Sequence, residues 1–331
     1  MNTTSRIIAL AAVYLLHGCG QGNESAGAAT KQALTTPPAP VVAPMMPPEP
    51  LPYVVELRAV GKTFQGPSEI PSGWTTFKFV NASSMIHFAI IDVPPAGITA
   101  QKMSDDVMAP FQEAMDAMNA GDEEGVNAAF GKFPEWIGQL TRNGGPGLLS
   151  PGRTGQTTVY LAPGHYIVEC YVKSDGVFHS TPPAEGQLGM LLDLTVTDED
   201  NGAPEPEADA TLKIRNSGYE LIGNLAPGAN TLRVDFDEQQ ALPSFTGNDV
   251  HLMRVDDETS VVSADAWMDW RKARGLEVPS PVTFLGGIED LPAGSHGYFT
   301  VDLEPGDYAL IAEIPGPVAA GFVLPFTVKS M

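Results

Sequence analysis

The sequence repeats one pattern at a spacing of 142 residues, and this repeat limits the folds that the chain can adopt. Pro163-Gly164-x-Tyr166 in the first copy recurs as Pro305-Gly306-x-Tyr308 in the second (305 − 163 = 142). Three further matches have the same offset: Gly152 with Gly294, Thr158-Val159 with Thr300-Val301, and Leu161 with Leu303. About 280 residues remain once the N-terminal region is set aside, which suffices for two domains of ordinary size. The repeat therefore predicts two tandem domains of one fold.

Short segments of alternating polar and apolar residues run through both copies. Residues 54–60 and 75–80 alternate, residues 87–93 form a more uniformly apolar run, and turns such as Pro71-Ser72-Gly73 are expected to separate the segments. Short strands with frequent Gly and Pro turns are typical of sandwiches and Greek-key barrels. Helical spacing appears over residues 98–140, with a shorter counterpart over residues 264–274. We therefore expect an all-β fold of two tandem Greek-key β-sandwiches, each with a helical insert.

The N-terminus has the features of an export signal. Residues 1–18 carry one positive charge, Arg6, followed by an apolar run that is too short to span a membrane. Leu16-His17-Gly18-Cys19 resembles the lipobox of bacterial lipoproteins. The resemblance implies that Cys19 is lipidated and becomes the first mature residue. Gly20 after it implies anchoring in the outer membrane of the cell envelope, on its periplasmic or surface side. The alternative is an ordinary signal peptide with an incidental cysteine.

Composition divides the rest of the chain into segments. Residues 19–51 are rich in proline and have no apolar periodicity, which predicts a disordered tether behind the lipidated cysteine. Residues 52–198 form the first predicted domain, and residues 210–331 form the second. The acidic, proline-containing residues 199–209 between them read as a linker.

The net charge is strongly negative. The sequence has 18 basic and 40 acidic residues, and loss of Arg6 with the signal peptide leaves 17 − 40 = −23. A charge of this sign argues against nucleic acid or an anionic membrane surface as a partner. The lipid anchor is then the expected membrane contact. Because the acidic residues are spread along the chain, we expect them to lie on a solvated surface.

Cys170 has no partner for a disulfide within the chain if Cys19 carries lipid. A free thiol in an oxidising compartment is prone to oxidation unless it is buried or bound to a metal. Cys170 is followed by His179 and Met190, and His87 lies upstream in an apolar segment. Two imidazoles, a thiolate and a weak axial thioether are the donors of a mononuclear blue-copper site. The alternatives are that His87 is a structural histidine of the core and that Cys170 is a small buried hydrophobe.

Four short motifs of the first copy follow one another in an order that matches a known family. They are Asn81-Ala82-Ser83-Ser84-Met85-Ile86-His87, Gly164-x-Tyr166-x-x-x-Cys170, Gly176-Val177-Phe178-His179 and Gly189-Met190. In this order they resemble the cupredoxin superfamily, and most of all its plastocyanin-like exported domains. The resemblance implies one copper ion in the first domain, held in a plane by His87, Cys170 and His179. Met190 would be the axial ligand.

The first copy departs from that family pattern in three places. Eight residues separate Cys170 from His179 and ten separate His179 from Met190, and both spacings are longer than in plastocyanins. Phe88 stands where an asparagine commonly follows the first histidine and braces the ligand loop.

The second copy differs from the first at most of these positions. The pairs are Cys170 with Ala312, Met190 with Phe322, His87 with His251, and the His179 loop with the shorter Pro315-Gly316-Pro317. One imidazole cannot form a type 1 site, so we expect no such copper in the second domain. The recurrence of the first histidine also favours a structural role for that position.

The leading functional hypothesis is an envelope lipoprotein that binds copper or transfers one electron, with a redox or other envelope protein as its partner. The alternative is a metal-free, cupredoxin-like binding or structural lipoprotein whose loops and helices engage an envelope partner. The sequence contains no phosphate-binding glycine loop, no His-Glu-x-x-His and no Cys-x-x-Cys. We therefore do not expect an enzyme.

Overall fold

The structure is a computed structural model, and it describes residues 51–239 and 247–330. The predicted signal peptide, Cys19 and all but the last residue of the predicted tether lie outside the described residues. None of the helices in the described part of the chain is long and apolar enough to cross a membrane.

Strands dominate both halves of the described chain. In the first half they are β1 Tyr53–Val60, β2 Thr63–Gln65, β3 Glu69–Asn81, β4 Ile90–Val93, β5 Thr141–Arg142, β6 Thr154–Leu161, β7 Gly164–Glu169, β8 Lys173–Ser174, β9 Val177–Phe178 and β10 Leu191–Asp200. In the second half they are β11 Ala210–Arg215, β12 Gly218–Ile222, β13 Gly228–Phe236, β14 Val250–Arg254, β15 Phe284–Ile288, β16 His296–Leu303, β17 Gly306–Ile311 and β18 Val323–Val328. The predicted all-β class is confirmed.

The helices lie where the sequence changed its spacing. Between β4 and β5 they are α1 Ala100–Met103, a π-helical stretch Ser104–Met108, α2 Ala109–Ala120, α3 Glu123–Phe130 and a 3-10 turn Glu135–Gln139. Between β14 and β15 lies α4 Ser260–Met268, and α5 Pro317–Ala320 precedes β18. α4 begins four residues before the predicted start and ends at Met268, so the rest of the predicted segment 264–274 is not helical.

One pairing scheme occurs in both halves. β1 runs parallel to β3, and β3 runs antiparallel to β6; β11, β13 and β16 repeat these relations. The opposite layer is β4–β7–β10 in the first half and β14–β17–β18 in the second, all antiparallel. Alternation places one side of each strand in the core: β1 buries Val55, Leu57 and Ala59 and leaves the residues between them at least partly exposed. Two stacked layers of this kind form a β-sandwich.

The two halves share one continuous sheet, because β6 pairs antiparallel with β16. Thr157 lies opposite Phe299, its own counterpart at an offset of 299 − 157 = 142. A strand that meets its own counterpart in antiparallel register lies on a local twofold axis. A second contact joins the segment before β6 to β15: the Gly286 N–H donates to the Leu148 carbonyl at 3.0 Å, and the Gly147 N–H donates to the Gly287 carbonyl at 3.2 Å. The two halves are therefore packed together by backbone hydrogen bonds.

The prediction of a turn at Pro71-Ser72-Gly73 is wrong, because these residues lie inside β3. Residues 69–72 pair with β10, and residues 73–80 pair with β6, so β3 passes from one layer to the other at Gly73. Gly73 has φ +116°, and a Cβ there would lie 2.7 Å from the Asn201 side-chain oxygen. Glycine is required because the strand bends sharply where it changes sheet.

Two further expectations differ from the structure. The apolar run 87–93 is a strand only from Ile90, and His87 instead makes an isolated bridge to Leu149. Several acidic side chains are buried rather than solvated: Asp92, Glu169, Asp249, Asp269, Glu289 and Glu313. Spacing along the chain cannot reveal such residues, because burial of a carboxylate depends on partners from distant segments.

Candidate metal centre

The four predicted ligands lie at one end of the first half, three of them next to strands and one in a loop. His87 lies in the loop between β3 and β4, Cys170 directly follows β7, His179 directly follows β9, and Met190 directly precedes β10. All four side chains are buried, with exposed fractions between 0% and 2%.

Asn81, at the end of β3, holds the loop that carries His87. Its side-chain amide donates to the carbonyls of Met85 (2.8 Å) and Leu149 (2.7 Å), and its side-chain oxygen accepts from the Ser83 N–H at 3.0 Å. His87 itself is fixed through its backbone, since its carbonyl accepts from the Leu149 N–H at 2.8 Å. The loop is therefore rigid although it contains no regular structure.

Backbone hydrogen bonds link Cys170, His179 and Met190 to one another. The Cys170 N–H donates to the Met190 carbonyl at 3.1 Å, and the Met190 N–H donates to the His179 carbonyl at 2.7 Å. The segment before Met190 comes very close to the segment after His179: a Cβ at Gly189 would lie 2.0 Å from the Ser180 carbonyl oxygen. Glycine at position 189 is thus a packing requirement.

The donor atoms of His87, Cys170 and His179 converge. One ligand atom from each lies within 4.8 Å of the other two. Three points so spaced fit inside a circle of radius 4.8/√3, about 2.8 Å, so a common point lies near metal–ligand distance from all three. The Cys170 Sγ is 3.5 Å from the His87 Nδ1, and the two imidazole centroids are 5.0 Å apart.

Two serines hold the outer nitrogens of these imidazoles. The Ser83 hydroxyl lies 3.0 Å from the His87 Nε2, and the Ser174 hydroxyl lies 2.7 Å from the His179 Nε2. The Ser174 hydroxyl donates to Met85, so it accepts from the His179 Nε2–H, and the Nδ1 lone pair of that ring is free. The His179 Nδ1 is buried and has no hydrogen-bond partner. The His87 Nδ1 faces the Cys170 sulfur, and it is free to bind a metal when its Nε2 carries the proton.

Burial controls the protonation of all three groups. It lowers the pKa of His87 to about 4, although the Gly61 carbonyl partly opposes this, and it lowers the pKa of His179 to about 3, helped by His87. Both imidazoles are therefore neutral at pH 7. Burial also raises the pKa of the Cys170 thiol, and the backbone N–H groups of Phe88 and Val172 offset part of that rise. A thiolate here needs a cation beside it.

The thioether position is less defined than the other three. Met190 is fully buried and bound through its backbone to both Cys170 and His179. A second methionine, Met85, also reaches the group, because its Sδ accepts from the Ser174 hydroxyl at 3.3 Å. The structure thus places the Met85 sulfur beside Ser174, the partner of the His179 Nε2.

Sequence reasoning missed Ser83, Ser174 and Met85 as parts of the site. Ser83 and Met85 stand in the segment that was read for its histidine, and Ser174 stands between Cys170 and His179. The two hydroxyls bond the histidine rings, and the Met85 sulfur accepts from Ser174. The available signal was that both loops supply a serine four or five residues from a histidine.

Phe88 takes the bracing position by a different contact from the asparagine it replaces. Its ring packs edge-on against Tyr171, with centroids 4.6 Å apart, and both rings are buried. Since Tyr171 follows Cys170, this aromatic pair connects the His87 segment to the Cys170 segment. The departure at Phe88 therefore leaves the two segments joined.

The buried donors fit copper in character. Two neutral imidazoles and one thiol with nearby thioethers are the soft and intermediate ligands that copper prefers. The His179 Nδ1 has no partner, and the protonated, fully buried Cys170 makes a 3.5 Å contact with the His87 Nδ1, so all three donors face a position that a cation would fill. The assignment of His87, Cys170, His179 and Met190 as ligands remains a prediction, and the geometry is compatible with it.

The second half keeps the backbone of this centre but not its donors. The Ala312 N–H donates to the Phe322 carbonyl at 3.1 Å, as the Cys170 N–H does to the Met190 carbonyl. This hydrogen bond supports the predicted matches of Ala312 with Cys170 and of Phe322 with Met190. His251 is buried, but its Nδ1 accepts from the Leu148 N–H at 3.1 Å. Its ring is thus occupied by a structural contact, unlike that of His87.

Comparisons with known proteins find similar solved structures at low identity. Neither a protein-family model nor a curated protein sequence matches this chain. Similar solved structures include auracyanin B, with 20% identity over 38% of this chain and 94% of that one and a TM-score of 0.29. Auracyanin A of Chloroflexus aurantiacus, described as a blue copper protein, has 18% identity over 44% and 98%, with a TM-score of 0.24.

A longer match is copper nitrite reductase from Nitrosomonas europaea, with 12% identity over 84% of this chain and 94% of that one and a TM-score of 0.21. Identities and scores of this size assign no role to any residue of this chain. The strand pairing of the described residues is that of an all-β fold.

Proposed function

We propose that the first half binds one copper ion through His87, Cys170 and His179, with Met190 as the axial donor, and serves as a one-electron carrier. The observation that carries this proposal is the convergence of two imidazoles on a buried thiol: the His87 Nδ1 faces the Cys170 sulfur, the His179 Nδ1 is unpartnered, and a serine lies at each Nε2. Copper, when bound, supplies reversible one-electron chemistry. The protein is proposed to act as a carrier rather than as an enzyme.

The residues around the centre favour a site that changes little between redox states. The hydroxyls of Ser83 and Ser174 fix the imidazole orientations, and the backbone bonds of Cys170 and Met190 belong to the sandwich itself. The Phe88 and Val172 N–H groups face the Cys170 sulfur and stabilise its negative charge. Ligands held this firmly need little rearrangement when an electron arrives or leaves.

We further propose that the chain is exported, lipidated at Cys19 and anchored in the cell envelope, where a redox protein would be its partner. The sequence of the N-terminal region supports this part of the proposal. Mass spectrometry of the membrane-associated protein tests it, because lipidation adds acyl chains to an N-terminal cysteine. An unmodified Cys19 in the mature protein would contradict the anchor and leave the copper proposal standing.

Copper loading tests the metal proposal. The full chain with Cu(II) should develop an intense visible thiolate-to-copper band at one copper per chain, and both should be lost in Cys170→Ser and His87→Gln. His251→Gln is the matched control, because this residue is the counterpart of His87 in the second half and faces a backbone N–H instead of a thiol. The control should keep the band. Absence of both band and stoichiometric copper in the wild type would favour the metal-free binding module.

A further inference from the structure

The second half contains a buried group of acidic side chains at the corresponding end of its sandwich. Asp249 precedes β14, His251 lies within β14, Glu289 directly follows β15 and Glu313 lies two residues beyond β17. The exposed fraction is 3% for Asp249 and 0% for the other three. Carboxylates are almost never fully buried without a partner, so the partner of this group has to be identified.

The members of this group lie close together. One ligand atom each of Asp249, His251 and Glu313 lies within 4.8 Å of the other two, which places all three near a common point. Glu289 lies beside this group at the other edge of the ring: its Oε1 is 4.0 Å from the His251 Nδ1, and burial together with the Asp249 and Glu313 carboxylates raises its pKa. The Glu313 N–H donates to the Asp249 Oδ1 at 2.7 Å and so fixes the two segments relative to each other.

The carboxylate oxygens of the two glutamates lack partners. Both oxygens of Glu289 and both oxygens of Glu313 are buried without a close hydrogen bond, and the Tyr171 hydroxyl, which faces Glu313, offsets only part of the rise in its pKa. The neighbouring Arg142 is engaged elsewhere, with its guanidinium 3.3 Å from Asp92 and 3.5 Å from Asp290. Burial and the neighbouring carboxylates raise the pKa of Glu289 and of Glu313 well above the usual range. Each carboxyl must therefore hold a proton or share a cation.

The orientation of His251 indicates which atoms would bind a cation. Because its Nδ1 accepts from the Leu148 N–H, the neutral ring carries its proton on Nε2. That nitrogen lies 3.3 Å from the Asp249 Oδ2. The imidazole thus lies against Asp249 without a hydrogen bond between them, and its occupied Nδ1 leaves carboxylate oxygens as the donors. Oxygen donors select hard divalent cations such as Mg²⁺, Ca²⁺ and Mn²⁺ over copper.

We propose that Asp249 and Glu313, with Glu289 beside them, form a binding site for one hard divalent cation in the second half. The cation would neutralise carboxylates that are buried together and would join the ends of β14, β15 and β17. The site uses none of the four residues assigned to copper. Either proposal can therefore fail without the other.

Mn²⁺ binding by the full chain with Cys170→Ser tests the site, because this substitution removes the thiolate from the first half. After removal of metals with a chelator and refolding in Mn²⁺, we expect about one Mn²⁺ per chain by elemental analysis after dialysis, with loss of the free-ion signal in electron paramagnetic resonance. Adding Glu313→Gln should weaken binding on the order of tenfold or more. Glu304→Gln is the control, because Glu304 is 82% exposed and lies in the same half.

Two results would overturn the proposal. One is the absence of stoichiometric Mn²⁺ in Cys170→Ser, which would mean that protons alone neutralise the carboxyls. The other is equal binding by the Glu313→Gln and Glu304→Gln variants. If Glu313→Gln fails to fold, thermal unfolding of Cys170→Ser decides, since a specific site makes the midpoint rise with Mn²⁺ concentration and a chelator reverses the rise. An unchanged midpoint would also refute the site.

Discussion

The protonation of the proposed copper ligands determines how copper binding depends on pH. Burial lowers the pKa of His87 to about 4 and that of His179 to about 3, so both imidazoles are neutral above pH 5. Burial raises the pKa of Cys170, so the thiol stays protonated through neutral pH. Because a metal binds the thiolate, each binding event releases one proton, and a higher pH strengthens binding.

The magnitude follows from these protonation states. One released proton raises the apparent affinity tenfold per pH unit, or about 100-fold between pH 5.5 and 7.5, which is about 2.7 kcal/mol. Two imidazoles with the ordinary pKa of about 6.5 would each add a further factor of about 10 over this range, for a total near 10⁴. The buried and the exposed arrangement thus differ by about 100-fold.

Competition with a chelator of known pH dependence measures this slope, and calorimetry in buffers of different ionisation enthalpy counts the protons independently. Cys170→Ser is the control, because it should abolish proton release together with tight binding. A change near 10⁴ would show that the imidazoles titrate normally and are therefore solvated. A change below about threefold would show that the thiolate already exists without metal, so either result refutes the account of burial given above.

Two substitutions test the supports of the centre. Ser174→Ala removes the 2.7 Å hydrogen bond to the His179 Nε2, so copper affinity should fall about tenfold, or about 1.4 kcal/mol, in the same chelator assay; unchanged affinity would mean that the serine does not orient the ring. Gly189→Ala places a Cβ 2.0 Å from the Ser180 carbonyl oxygen, so the free energy of unfolding should fall by about 2–3 kcal/mol in denaturant titration. A Cβ at Gly138 would meet no atom within 4 Å, so Gly138→Ala should change the free energy of unfolding by less than about 0.5 kcal/mol. Equal effects of Gly189→Ala and Gly138→Ala would contradict the close approach of Gly189 to Ser180.

The strands were predictable from the sequence because their signals are local. Alternation marks β1, and the 142-residue offset carries β6 onto β16 and β7 onto β17 without a change of bounds. The pattern failed at Gly73, where the same glycine that marks a turn elsewhere allows a strand to cross between layers. A turn and a sheet crossing need the same backbone freedom, so the local sequence does not separate them.

The candidate site was predictable as a set of residue types but not as an environment. Cys170, His179 and Met190 follow one another in the chain, whereas the contacts of Ser83 and Ser174 with the histidines depend on loop conformations that residue type does not reveal. Glu289 and Glu313 were assigned to the solvated surface for a similar reason. A carboxylate looks the same in the sequence whether it lies on the surface or in the core. Its burial depends on distant segments of the chain, which the local alternation of polar and apolar residues does not reveal.

His87 and His251 are counterparts in the repeat, but their surroundings differ. His87 follows β3, and His251 lies near the start of β14. A backbone hydrogen bond of 3.1 Å occurs at matching positions in the two halves, from Cys170 to Met190 in the first and from Ala312 to Phe322 in the second. The recurrence of this histidine suggested a structural role in both. The structure shows that the two residues differ in what lies next to Nδ1. The Nδ1 of His87 faces the Cys170 thiol, whereas the Nδ1 of His251 accepts from a backbone N–H.

The same backbone therefore presents soft donors in the first half and carboxylate oxygens in the second. A cysteine placed at Ala312 would still lack both an imidazole with a free Nδ1 and a counterpart of His179. Copper selectivity in this fold thus requires side chains from three segments at once, which explains how one duplicated sandwich can hold a thiol centre in one half and an acidic group in the other.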